Sequence, residues 1–114
     1  MADGRRALGA AGENRAAAWY ESNGYTIVER NWRCRDGELD LIVSRGRDLV
    51  FVEVKTRTSD RFGLPAEAVT ATKQRRIRKL AGRYLAETSS VAGGLRFDVV
   101  AILGDQLEVI EAAF

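Results

Sequence analysis

A chain of 114 residues is long enough for one domain with a packed core, and 18 Lys and Arg against 16 Asp and Glu leave a formal charge of +2. That balance alone is a weak signal for a polyanionic partner, so the placement of the charges has to carry the argument. Histidine is absent and Cys34 is the one cysteine, which excludes Ser-His-Asp and Cys-His catalysis, His-ligated zinc and an internal disulfide.

The stretch Met1 to Glu13 is interrupted by Gly and Glu before an apolar run can form. No segment reaches the roughly 18 apolar residues of a membrane helix, so a soluble cytoplasmic protein without membrane contact is expected.

From Arg6 to Ser22 the chain is Ala-rich and favours helix, and Asn23-Gly24 supplies a stop. Tyr25 to Trp32, rich in β-branched and aromatic residues, predicts a first strand, closed by the Asp36-Gly37 turn signal. Glu38 to Val43 and Leu49 to Thr56 predict a second and third strand, joined by a hairpin loop over Ser44 to Asp48. Past a polar loop with Asp60, Gly63 and Pro65, a helical pattern runs from about Ala66 to Glu87 with a restart near Thr72; Ile77, Leu80, Ala81, Tyr84 and Leu85 form its apolar stripe. Leu95 to Leu103 and Leu107 to Ile110 predict the last two strands. Three sequential strands flanked by helices, with a helix before the fourth strand, indicate an α/β sandwich with a mixed sheet.

Strands two and three are nearly continuous apolar runs, the pattern of strands covered on both faces. An ionised carboxylate there costs several kcal/mol unless it is paired, solvated or bound to a cation. Asp40, Glu53 and Lys55 therefore need a reason. Alternation puts Glu53 and Lys55 on one face, and the hairpin brings Asp40 level with Glu53. Hard oxygen donors of this kind suit Mg²⁺ or Mn²⁺. Glu13 shares a helical stripe with Ala16, Ala17 and Tyr20 and faces inward, so it can join the acids if that helix packs nearby. The competing explanation is a structural ion pair between Glu53 and Lys55, with Glu13 a packing residue. Glu38 shares a face with Asp40, but beside the turn it reads as solvated or as supporting the site from behind its direct ligands.

The second helix carries Lys73, Arg75, Arg76, Arg78, Lys79 and Arg83 around its apolar stripe, either a phosphate-contacting surface or an ordinary solvated face. Lys73 and Gln74 at its start are expected to reach the cleft, and Arg57 is a further phosphate candidate. Trp19, Tyr20, Trp32, Phe51 and Phe97 lie in periodic apolar segments and read as core. Asp98 is expected to pair structurally with Arg96 or a basic helix residue.

Asp40 followed at hairpin spacing by Glu53-Val54-Lys55 resembles the active-site signature of the PD-(D/E)xK nuclease superfamily, which includes restriction endonucleases and Holliday-junction resolvases. Leu39 stands where the superfamily name has proline. Nearly the whole chain is similar to the YraN-like family of small endonuclease-fold proteins. The matching segments are Gly12-Glu13 with Ala16-Ala17, Arg30-Asn31-Trp32-Arg33, Gly37-Glu38-Leu39-Asp40-Leu41-Ile42, Val50 to Arg57, Phe62-Gly63, Glu67-Ala68-Val69, Lys73-Gln74 and Arg96 to Val100.

The resemblance implies one domain over residues 1–114, a restriction-endonuclease-like three-layer sandwich with a central mixed β-sheet flanked by helices. It further implies a metal-dependent nuclease hydrolysing phosphodiester bonds, structure-selective in the manner of resolvases. Asp40, Glu53 and Glu13 would hold Mg²⁺ or Mn²⁺, with the Val54 carbonyl as an added ligand. Lys55 completes the catalytic set, and Arg57, Lys73, Gln74, Arg75, Arg76, Arg78 and Lys79 are the nucleic-acid-binding candidates. DNA is the expected partner, and a homodimer follows by analogy with resolvases. Two other functions stay open: a nucleic-acid-binding module without turnover, and an interaction subunit of a DNA-processing assembly.

Overall fold

The computed structural model describes residues 4–57 and 69–114, with side chains of the first helix described from Gly9 onward. Element order is α1 (Gly4–Ser22), β1 (Thr26–Cys34), β2 (Gly37–Arg45), β3 (Asp48–Arg57), α2 (Ala71–Thr88), β4 (Gly94–Leu103) and β5 (Gln106–Ile110). The strands form one sheet in the order β1-β2-β3-β4-β5. β3 and β4 run parallel across the α2 crossover, and the other neighbours are antiparallel. This is the mixed sheet that the element order predicts.

Two apolar clusters, one on each face, place the helices on opposite sides. Ile77, Leu80, Ala81 and Tyr84 of α2 pack with Leu39, Ile42, Phe51, Phe97 and Val99. Ala16, Ala17 and Tyr20 of α1 pack with Leu41, Val43, Val50, Val52, Val100 and Ile102. Along β3, Leu49 and Phe51 face α2 while Val50 and Val52 face α1, the period-two alternation of a strand covered on both sides. Tyr20, Phe51 and Phe97 are buried, and Trp19 and Trp32 are partly buried against the clusters.

Several boundaries differ from the sequence expectation, most of them by a residue or two; the loop expected over Ser44 to Asp48 is a two-residue turn, Gly46-Arg47, because the strands pair as far as Arg45 opposite Asp48. The first helix begins at Gly4, and β1 continues past Trp32 to Cys34. The second helix begins at Ala71, because Val69 and Thr70 are non-helical and the Thr70 side chain caps the helix by accepting the Lys73 backbone N–H at 3.2 Å. The expected start at Ala66 lies outside the described residues. Leu85, expected in the buried stripe, is only partly buried at its edge.

Among the described residues the deepest polar group is Asp98 of β4, 0% exposed. Its Oδ1 accepts from Arg96 Nε at 2.8 Å and from the Ala112 backbone N–H at 3.0 Å; its Oδ2 accepts from Arg96 Nη2 at 2.9 Å and from the Tyr20 hydroxyl at 2.7 Å. Arg96 also donates to the Tyr25 hydroxyl at 2.8 Å. This is the Arg96 pairing expected of Asp98, extended to α1. Burial, together with the Asp98 carboxylate, drives the Tyr20 hydroxyl pKa well above its ordinary value.

Asp98→Ala should lower unfolding stability by about 3–5 kcal/mol, since it strands the Arg96 guanidinium and the Tyr20 hydroxyl together. Tyr20→Phe, which removes one of the four bonds, should cost about 1–3 kcal/mol. Urea denaturation of both variants against the wild type checks the ranking.

Candidate functional site

The β2–β3 ladder runs from Arg45 opposite Asp48 to Leu41 opposite Val52 and ends there, while β3 keeps pairing with β4 as far as Arg57. Beyond Leu41 the two strands part. The Val54 backbone N–H, which has no β2 partner in that ladder, donates to the Asp40 carboxylate at 2.9 Å. Asp40 thus fills the gap its own strand opens.

A second irregularity lies on the other side of Asp40. Asn31 of β1 has a φ of 53°, a left-handed conformation that Asn tolerates better than most residues. The β1–β2 register pairs Arg30 with Leu41 and Trp32 with Leu39 but skips the Asn31–Asp40 step. The effect on facing is direct: Leu39 packs on the α2 side and Leu41 on the α1 side, although regular alternation puts residues two apart on one face. The strand rolls over at Asp40. Its carboxylate therefore stands at an opening between layers, where residues of α1, the sheet and α2 meet.

Each neighbour arrives from a different element. Glu13 of α1, Glu38 and Asp40 bring one carboxylate oxygen apiece within 4.8 Å of one another. Glu53 lies against Asp40 from β3, and the concavity of about 410 Å³ that they share is also walled by Lys55, Thr56 and Lys73. Lys73 Nζ is 2.7 Å from Glu53 Oε1, and Lys55 Nζ is 3.6 Å from the same oxygen. Glu38 also accepts from Arg33 at 2.9 Å. Among the described residues, no cation forms an ion pair with Asp40 or Glu13.

The helix carrying Glu13 is seated by small and polar contacts. A Cβ on Gly12 would run into Thr56 Oγ1, so glycine lets α1 come this near β3. Arg15 donates to the Gly104 and Asp105 carbonyls at 2.7 and 2.9 Å, fastening α1 to the β4–β5 turn.

These surroundings move the titrations. Burial pushes the Asp40 carboxyl up from 3.8 to about 7, the adjacent Glu53 charge pushes the same way, and the Val54 N–H opposes both. Lys55 is lowered, by burial and then by the nearby Lys73. Burial works against the charge of Lys73 too, but its bond to Glu53 prevails and raises it.

The family model "Uncharacterised protein family UPF0102" matches residues 12–102. The chain belongs to the UPF0102 family. A UPF0102 protein of Beutenbergia cavernae is 58% identical over 97 residues, covering 85% of this chain and 82% of its own. Another, from Pelotomaculum thermopropionicum, is 48% identical over 120 residues and the match covers 100% of both chains. A third, from Mycolicibacterium vanbaalenii, is 50% identical over 100 residues, covering 88% and 83%. The UPF0102 segment takes in every residue of the acidic opening, from Glu13 to Lys73, together with Asp98.

The remaining candidates of this UPF0102 protein spread outward. Arg57 borders an adjoining concavity of about 250 Å³ with Arg15, and Thr56 stands on the wall between the two hollows. Gln74 donates to the Val69 carbonyl at 3.1 Å and so steadies the entry to α2. Arg75, Arg76, Arg78 and Lys79 are exposed, Arg75 bonding Thr72 and Arg78 lying 4.8 Å over the Phe97 ring. Arg83 is tied to Asp36 at 2.6 Å and to Glu87 at 2.9 Å.

Glu38, read from sequence as solvated or supporting the site from behind its direct ligands, joins the acidic group. The shared strand face with Asp40 was the signal for it, and the turn obscured that signal.

Because the Asp40 pKa is higher in the folded chain than in the unfolded one, protonated Asp40 stabilises the fold. That contribution is complete below about pH 4 and is lost as pH rises through about 7. Asn at this position keeps an oxygen for the Val54 N–H without the charge. In EDTA, Asp40→Asn should therefore melt progressively higher than wild type between pH 5 and pH 8, by a few degrees at the upper end. Calorimetric scans across that range check the sign.

Proposed function

We propose that this UPF0102 protein is a metal-dependent nuclease, with the opening between β2 and β3 as its active site. The observation that carries the proposal is the meeting of Glu13, Glu38, Asp40 and Glu53 with Lys55 and Lys73 at a break in the sheet. A structural ion pair explains Glu53 beside its lysines. It does not explain Asp40 and Glu13, acids crowded together with no cation partner among the described residues.

The donor set fits a hard divalent cation. Carboxylate oxygens and backbone carbonyls are what Mg²⁺ or Mn²⁺ takes, and no imidazole or thiolate competes at the cluster. Asp40, Glu53 and Glu13 would hold the ion, Glu38 adds a fourth carboxylate, and the Val54 carbonyl is a further donor. When bound, such an ion supplies a water of lowered pKa and neutralises charge on a phosphate.

The chain's own residues do the rest. The Val54 N–H fixes the Asp40 carboxylate, so its orientation is set before any ligand arrives. Lys55, its pKa lowered by burial and by Lys73, is suited to hold an attacking water at Nζ and to exchange a proton with it. Exposed Arg75, Arg76, Arg78 and Lys79 carry positive charge along α2, a surface for DNA backbone phosphates. Those same exposed cations favour the second reading, a nucleic-acid-binding module without turnover.

Incubation of the purified protein with linear, single-stranded, flapped and four-way-junction DNA in Mg²⁺, Mn²⁺ or EDTA separates the two. Cleavage of at least one substrate is expected with metal, none in EDTA, and none with Asp40→Asn or Glu53→Gln. Binding without cleavage under every metal condition would favour the module.

Phosphate contact by α2 is tested separately. Replacing Arg75 and Arg76 by Ala should lower the salt dependence of duplex binding by about 0.9 in log–log slope for each phosphate that is no longer neutralised. An unchanged slope would return this face to ordinary solvation.

A further inference from the structure

Glu53 is the most enclosed carboxylate of the opening, its side chain 8% exposed, and two ammonium groups converge on its Oε1. The nearer is Lys73 at 2.7 Å, and the farther is its strand neighbour Lys55 at 3.6 Å. The dominant counter-ion thus comes from the opposite side of a crossover, out of the first turn of α2. Its position is built in, since the Thr70 side chain caps the helix through the Lys73 backbone N–H. The Gln74 side chain also binds the Val69 carbonyl and holds the entry to α2.

A divalent cation shared by Asp40 and Glu53 would need oxygens of both carboxylates at about 2.1 Å for Mg²⁺. An ammonium hydrogen-bonded to Glu53 Oε1 occupies a lone pair of that group, and its charge opposes a second cation beside it.

We propose that Lys73 is a built-in competitor for the divalent cation. It neutralises Glu53 in the metal-free protein and gives up Oε1 when the cation enters, and so sets the cation concentration at which the site loads. This inference rests on the metal-site reading above and deepens it. Lys73 then acts on the metal through Glu53 and is a positioning residue. Lys55, farther from Oε1 and fixed on the same strand, need not move.

The test is calorimetric titration of MgCl₂ into the full chain without nucleic acid, for wild type, Lys73→Met, Lys73→Gln and Lys73→Arg. The glutamine variant keeps a polar side chain and serves if the methionine variant fails to fold. Removing the charge should tighten Mg²⁺ binding about tenfold. Lys73→Arg, which keeps a cation beside Glu53, should stay close to wild type.

If wild type binds Mg²⁺ and neither neutral variant binds it more tightly, the competitor role is overturned while the metal-site reading stands. Equal tightening by arginine also overturns it, because charge would then not be the cause. Failure of wild type and of both neutral variants alike to bind Mg²⁺ at millimolar concentration overturns both.

Discussion

The buried carboxylate of Asp98 is the fixed point of this fold. Four hydrogen bonds satisfy it, and they come from β4, α1 and the segment that follows β5. A charge with no solvent exposure is tolerable only when so completely partnered, and full partnering in turn allows few arrangements of the parts. Tyr20 lies two helical turns beyond Glu13 on α1, about 10 Å along the axis. Holding Tyr20 on Asp98 sets the rotation of the helix, and the glycine approach at Gly12 sets its depth. Between them these contacts deliver Glu13 to Asp40.

Charge is handled in opposite ways at two points along α1. Around Asp98 every acceptor has a donor and a guanidinium balances the carboxylate, so the group is inert. Around Asp40 acids accumulate beyond what Lys55, Lys73 and Arg33 offset, and burial of the surplus raises a carboxyl toward neutrality. Groups held in such an environment are characteristic of sites that bind a cation or move a proton.

Much of this was legible in the chain alone. The five strands follow from β-branched runs and turn signals, and the mixed sheet from the helix between Lys55 and Arg96. Asp40 and Glu53 fall level because the tight turn at Gly46 and Arg47, shorter than the loop expected over Ser44 to Asp48, fixes the hairpin register. What alternation could not supply is the roll of β2 at Asp40, since a period-two pattern assumes the regularity that Asn31 breaks. Regular pleating leaves Glu13 and Glu53 on opposite faces, and only the parted strands let both approach Asp40. Nor does any local signal pair Lys73 with Glu53, because that contact depends on where the crossover sets down the first turn of α2. The onset of that turn depends on the Thr70 cap rather than on helix propensity.

The parting of β2 from β3 also makes the opening mechanically uneven. Glu53 and Lys55 ride on a strand hydrogen-bonded to β4 through Arg57, whereas Asp40 stands past the last β2–β3 pair and is tied to β3 by one side-chain bond. On these pairings the distance between the two carboxylates is the least constrained distance of the site. Mg²⁺ demands oxygens near 2.1 Å and Ca²⁺ accepts about 2.3–2.6 Å. On the proposed metal-site reading, a jaw with one rigid and one yielding side would close on either radius, so discrimination between them would fall to the charge and number of the carboxylates more than to the width of the gap.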